Sequence, residues 1–198
     1  MSLLFETIRI SEGVPQHLEW HEKRMKRSIS ELWGTGCDVD LVRRILIPEE
    51  YSRGLVKCNI TYGPEIREII FNHYEKKIIR SLKLVECSTL DYHLKYSDRT
   101  VIDELFRLRE GCDDILIIRN GYVTDTSFSN IIFREDNRWL TPARPLLAGT
   151  CRERLIGQGL LEERDITAKD IPGFKGFKLI NAMRDPQEED LIPVSAIR

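Results

Sequence analysis

The sequence predicts a mixed α/β chain in two parts. Three observations predict it. Runs of strand-type alternation are interleaved with stretches of helical spacing. Two short segments, Gly63-Pro64-Glu65 and Asn120-Gly121, read as hairpin turns. The pattern then becomes irregular from Cys87 to Leu94, which divides the chain into residues 1–86, a linker over 87–94, and a larger part over 95–198.

Leu3 to Ile10 alternates as a strand, with Phe5, Thr7 and Arg9 on one face and Leu4, Glu6, Ile8 and Ile10 on the other. Gly13-Val14-Pro15 breaks it. From His17 to about Trp33, Leu18, Met25, Ile29 and Leu32 suit a helix that ends at Gly34 to Gly36. Asp40 can cap a short second helix reaching about Ile47, closed by Pro48. Leu55 to Tyr62 and Ile66 to Tyr74 follow as strands, and Ser81 to Glu86 as another. In the second part, Asp98 to Arg109 is amphipathic through Val101, Ile102, Leu105, Phe106 and Leu108. Strands are expected at Asp113 to Ile118, Ile131 to Arg134 and Arg138 to Leu140. A helix is expected from Thr150 to about Leu160 behind Gly149, then strands at Phe177 to Met183 and Leu191 to Val194.

Composition excludes several classes. The 198 residues are 41% hydrophobic and 31% charged, an ordinary globular balance. Thirty basic and 32 acidic side chains leave a net charge of −2. That gives no electrostatic footprint for nucleic acid or for an anionic membrane. The cysteines, Cys37, Cys58, Cys87, Cys112 and Cys151, are odd in number and form no C-x-x-C pair. Free thiols in a reducing compartment are expected, with neither a disulfide framework nor a structural metal. The first residues lack a basic, apolar leader, and no run is long enough to span a membrane, so a cytoplasmic location is expected.

Four features bear chemistry. Lys95 stands just ahead of a helix in His93-Leu94-Lys95-Tyr96-Ser97-Asp98-Arg99. Lysine forms an imine with an aldehyde cofactor when burial or nearby cations lower its pKa, although a lysine there is ordinarily solvated. Asp125 lies in Thr124-Asp125-Thr126-Ser127-Phe128-Ser129-Asn130. A carboxylate at a pyridine nitrogen keeps it protonated and makes the ring an electron sink; a turn or cap aspartate is the plainer alternative. Gly149-Thr150-Cys151-Arg152 is a glycine turn opening a helix, which presents backbone N–H groups suited to phosphate or is simply a helix start. Arg24, in His21-Glu22-Lys23-Arg24, offers a fork of donors to a phosphate, or lies on a charged helix face.

Taken in order, Phe5-Glu6-Thr7-Ile8-Arg9, His21-x-x-Arg24, Lys95, Asp125, Asn130 and Gly149-Thr150 resemble the fold-type IV pyridoxal 5'-phosphate (PLP) enzymes, the class IV aminotransferase family. The resemblance runs from Phe5 to Leu179-Ile180-Asn181-Ala182-Met183 and Ile192-Pro193-Val194. It implies a two-domain α/β fold like that of D-amino-acid aminotransferase, trimmed at the amino end, and a homodimer acting on a small amino substrate. It also implies roles. Lys95 is the Schiff-base lysine and proton shuttle. Asp125 partners the pyridine nitrogen. Arg24 binds phosphate with the backbone of Thr150 and Cys151. Ser127, Phe128 and Ser129 pass along the cofactor, and Asn181 borders the pocket. Three departures stand out. The D-R-G…G-D-G segment that precedes the Phe5 strand in relatives does not appear. The acid is Asp125 where glutamate is usual. The arginine often found near Tyr62 is missing, and Lys57 or Arg9 is expected to compensate.

Within that family Lys95-x-x-Asp98-Arg99 resembles the aminodeoxychorismate lyase pattern of lysine, two residues, Asn, Arg. Aminotransferases commonly place tyrosine where Arg99 falls. The resemblance therefore implies a lyase of the folate pathway. Two alternatives stay open: a transferase acting on branched-chain or D-amino acids with 2-oxoglutarate, and a degenerate binding protein that keeps the fold. His17, His73 and His93 carry no functional assignment.

Overall fold

The computed structural model describes residues 2–36 and 38–198; Met1 and Cys37 lie outside the described residues. Two compact units emerge. One comprises Met1–Lys76 and Leu94–Asp98, the other Lys77–His93 and Arg99–Arg198.

The first unit is a four-stranded antiparallel sheet in the order β2-β1-β3-β4, with helices on one face. Its elements are β1 (Leu4–Ser11), β2 (Val14–Pro15), α1 (Leu18–Trp33), α2 (Leu41–Arg44), β3 (Leu55–Tyr62) and β4 (Ile66–His73). β1 and β3 alternate strictly between buried and half-buried residues, the period of a sheet with one covered face. Leu4, Ile8 and Ile10 pack with Val56, Cys58 and Ile60 against Met25 and Ile29 of α1. Each such side chain contributes about 1.5–3 kcal/mol when fully buried. The second helix is shorter than the sequence suggests. Ile45 is already extended (φ −86°, ψ 92°), ahead of the stretch that Pro48 forces out of helical geometry.

The second unit is a seven-stranded sheet in the order β10-β9-β8-β7-β6-β5, with β11 paired to β8 off that path. Its strands are β5 (Leu82–Glu86), β6 (Asp114–Arg119), β7 (Tyr122–Thr126), β8 (Asn130–Glu135), β9 (Arg138–Pro142), β10 (Glu162–Arg164) and β11 (Gly176–Ile180). Its helices are α3 (Thr100–Arg107) and α4 (Thr150–Gly157). The β6–β7 hairpin turns at Asn120 and Gly121, both with positive φ (52° and 82°), as a two-residue hairpin of this twist requires. The expected strand at Leu191–Val194 does not form. Ile192 makes one isolated bridge to Phe177, because Pro193 has no N–H to extend a ladder and a 3₁₀ turn begins at Val194. No helix among the described residues is long and apolar enough to cross a membrane.

Candidate active site

In the first unit, Lys95 belongs to a short segment pinned alongside β1. The Phe5 N–H donates to the Lys95 carbonyl (3.0 Å), and the Ser97 N–H donates to the Leu3 carbonyl (2.8 Å). Leu4 and Tyr96 form a bridge. The lysine is half-buried, and its Nζ stands 4.4 Å from the centroid of the Phe5 ring. The backbone holding this lysine is thus tied to the Leu3–Phe5 stretch at two points, a condition for presenting an amine in one place.

Beneath the same strand, on the covered face, lies a buried charged group. Glu6 is fully buried, and His21 and Arg24 of α1 are nearly so. Arg24 grips Glu6 with two donors, Nε to Oε1 at 2.8 Å and a terminal nitrogen to Oε2 at 2.5 Å. His21 Nδ1 lies 2.7 Å from the same Oε2. Burial alone would push the Glu6 carboxyl up. The Arg24 charge and the hydrogen bonds from His21 and Arg24 instead hold it down at about 2. Arg24 is therefore not the exposed residue of a charged helix face. The sequence carried a signal for Glu6: it is the one acidic residue in phase with Leu4, Ile8 and Ile10.

In the second unit, Asp125 sits on β7 opposite Asn130 of β8, within a strand rather than a turn. Its Oδ1 accepts from the Asn130 side-chain amide (2.7 Å) and its Oδ2 from the Leu147 N–H (2.9 Å). Asn130 also donates to the Leu147 carbonyl (2.9 Å), so one amide ties strand, loop and carboxylate together. Burial raises the Asp125 pKa to about 6, against those hydrogen bonds and the Arg152 charge. Gly149 caps α4 without any side-chain cap. A Cβ there would stand 2.1 Å from Asn130 Oδ1, so only glycine allows the backbone this close. Thr150 and Cys151 begin the helix and are buried, and burial pushes the Cys151 thiol up to about 11. Arg152 turns away to the Pro142 carbonyl (2.9 Å) and Glu163 (2.5 Å).

The turn after Asp125 is braced from several directions. The Thr126 N–H donates to the Ser129 carbonyl (2.9 Å), and the Ser129 N–H to the Thr126 hydroxyl (3.1 Å). Arg99 donates to the Ser127 carbonyl at 2.6 Å, a short charge-assisted bond, and its other terminal nitrogen reaches the Tyr92 hydroxyl (3.3 Å). Asn181 donates to the Phe128 carbonyl (3.2 Å) and the Ser129 hydroxyl (2.9 Å). Asp114, fully buried, faces Ser127 and Thr126 from below. The structure thus brings Ser127, Phe128, Ser129, Arg99 and Asn181 together. Asp114 was not singled out from sequence, since an acid opening an apolar strand carries no distinguishing pattern. Arg9 and Lys57 face each other across β1 and β3. No group of three or more metal-ligating side chains occurs among the described residues.

Comparison with known proteins shows which family and fold the chain is similar to. The sequence model of the family Amino-transferase class IV matches residues 93–197. An uncharacterized protein of Haemophilus influenzae is 42% identical over 182 residues, covering 91% of this chain and 97% of that one. A Haemophilus somnus protein, solved under the provisional name 4-amino-4-deoxychorismate lyase, is 36% identical with a TM-score of 0.86, covering 93% of this chain and 98% of that chain. The fold also matches a hypothetical aminotransferase of Mycobacterium tuberculosis in its PLP-bound form, at 18% identity and a TM-score of 0.76, over 96% of this chain and 80% of that chain. This chain belongs to the class IV aminotransferase family.

Proposed function

We propose that the chain is a PLP-dependent 4-amino-4-deoxychorismate lyase, which releases pyruvate and leaves 4-aminobenzoate. The observation that carries the cofactor assignment is the buried Asp125 carboxylate, fixed by Asn130 and Leu147. The carboxylate accepts from Asn130, Leu147 and Leu146 and, with about four lone-pair sites, keeps capacity for a pyridinium N–H. The donor set fits PLP in two further respects. Gly149 lets the backbone close against Asn130, which holds Asp125, and the first turn of α4 presents N–H groups to a phosphate.

PLP, when bound, withdraws electrons from the carbon that bears the amine. The chain's own residues do the rest. Lys95, held by β1, would hold the aldehyde of that group in the resting protein and, once its amine is free, would take the proton from the carbon bearing the substrate amine. Asp125 keeps its partner nitrogen protonated, and the raised carboxyl pKa falls once a cation faces it. Arg24, oriented by Glu6, is the proposed phosphate ligand with Thr150 and Cys151. Ser127, Phe128 and Ser129 form the wall of the site. Arg99 and Asn181 act on substrate through that wall, while Arg9 and Lys57 supply positive charge.

The lyase assignment is supported by the likeness to the Haemophilus somnus protein. A transaminase stands as the second reading for one reason. The Arg99 that distinguishes the lyase pattern is engaged with a main-chain carbonyl, so its presence alone does not select the reaction. Purified protein supplied with chorismate, glutamine and the synthase should yield 4-aminobenzoate. Absence of product above background, with glutamate formed instead from 2-oxoglutarate and a branched-chain or D-amino acid, moves the assignment to the transaminase.

A further inference from the structure

Two consecutive acids lead into β6, and their surroundings are opposite. Asp113 is exposed and its Oδ2 is fully used, accepting from the Arg80 N–H (2.8 Å), the Ser81 N–H (3.0 Å) and the Ser81 hydroxyl (3.0 Å). Asp114 is 0% exposed. Its Oδ1 accepts from the N–H of the next residue, Ile115 (2.8 Å). Its Oδ2 is shut off from water, and no hydrogen bond of ordinary geometry reaches it. The groups that act most strongly on this carboxyl are the Ser127 and Thr126 hydroxyls and the Ile115 and Ser127 N–H groups, all of them uncharged. A buried carboxyl without a counter-charge keeps its proton. The register explains the contact. β6 and β7 pair as far as Leu116 and Thr126. The next pair in phase would set Asp114 against Phe128, but β7 ends at Thr126. The Asp114 side chain therefore closes the end of the ladder beneath Ser127, whose carbonyl is taken by Arg99 (2.6 Å).

We propose that Asp114 is a positioning residue: held as the neutral acid, it donates from Oδ2 to the Ser127 hydroxyl and so presents the Ser127 proton to an anionic oxygen of the bound cofactor. The inference rests on the reading of Ser127 as part of a PLP site. A hydroxyl has one proton and two lone pairs. An ionised Asp114 would claim that proton and leave Ser127 only lone pairs to offer, which an anion does not accept. The neutral acid occupies a lone pair instead and leaves the proton free. Arg99, on the carbonyl of the same residue, keeps its main chain from turning away. Asp114 thus acts through Ser127 and touches no ligand itself.

The test uses Asp114→Asn, whose amide oxygen and N–H groups reproduce the acceptor and donor of the neutral acid, Asp114→Ala, which has neither, and Ser127→Ala. The infrared difference spectrum of the PLP-free protein near neutral pH, wild type minus Asp114→Asn, should show a protonated-carboxyl band. PLP affinity by fluorescence titration should stay within about two-fold of wild type in Asp114→Asn and fall about ten-fold in Asp114→Ala and in Ser127→Ala. The double alanine variant should bind no more weakly than Ser127→Ala alone, since the first residue acts through the second. Absence of the carboxyl band, which needs no alanine variant to fold, overturns the inference. So does Asp114→Asn binding as weakly as Asp114→Ala, or losses that add in the double variant. If the protein binds no PLP, the cofactor reading falls and takes the role of Ser127 with it. If it binds PLP and Asp114→Ala binds as wild type does, the inference falls and the cofactor reading stands.

Discussion

Replacement of Glu6 by glutamine tests the buried ion group in the most quantitative way. The carboxyl pKa lies at about 2 in the folded chain against 4.5 for a free side chain. A depressed carboxylate contributes stability that is fully present above the unfolded pKa and is lost as pH falls through the folded one. Here that window runs from about pH 4.5 down to about 2, and the difference amounts to about 3 kcal/mol. Glu6→Gln leaves the buried Arg24 guanidinium without its counter-charge, so the variant should be less stable by about 3–5 kcal/mol at pH 7. Part of that loss is tied to ionisation of the wild type, so the gap should narrow by about 1 kcal/mol at pH 4. Urea unfolding at pH 7, 5 and 4 reads both quantities, with Trp20 and Trp33 on α1 as reporters in the unit that holds Glu6. A variant within about 1 kcal/mol of wild type at pH 7, or a gap that stays constant with pH, refutes the reasoning.

Two further substitutions probe the second unit. Asp125 has a folded pKa of about 6 against 3.8, so the folded state holds its proton while the unfolded chain has lost it. Stability of the ligand-free protein therefore falls as pH rises through this window. Asp125→Asn avoids the penalty, and its stability relative to wild type should improve by about 2 kcal/mol from pH 4 to pH 7, while cofactor-dependent turnover is lost; a pH-independent difference by denaturation contradicts this. Arg99→Gln should speed hydrogen exchange at the Ser127 to Asn130 amides about ten-fold and lower kcat more than it raises KM, with Arg99→Lys intermediate. Unchanged exchange with a raised KM makes Arg99 a direct substrate ligand instead.

Much of this architecture is legible in the sequence because local rules decide it. The alternation of Leu4, Ile8 and Ile10 marks β1, Asn120-Gly121 marks the β6–β7 hairpin, and the Gly149 helix start lies where its pattern suggests. What escaped reading depends on tertiary context. The Tyr122–Thr126 segment looks like loop because Thr and Asp fill three of its five positions, and it is a strand because β6 and β8 supply its partners. The three-residue β10 exists only through its parallel pairing with β9. Among candidate residues, Lys95, Asp125 and Arg24 are visible as residue types in a familiar order. The groups that hold them are not. Glu6 and Asn130 act through contacts across 18 and 5 residues, and Arg99 through one across 28. No pattern along the chain encodes such distances.

The central claim is that Lys95 carries PLP. Protein incubated with PLP, reduced with borohydride and digested should give a single pyridoxyl-modified peptide, the one containing Lys95, and a visible absorption band that disappears on reduction. Lys95→Ala should lose both the band and the label while melting within a few degrees of wild type. Labelling at another lysine, or a Lys95→Ala protein that still turns over substrate, contradicts the account.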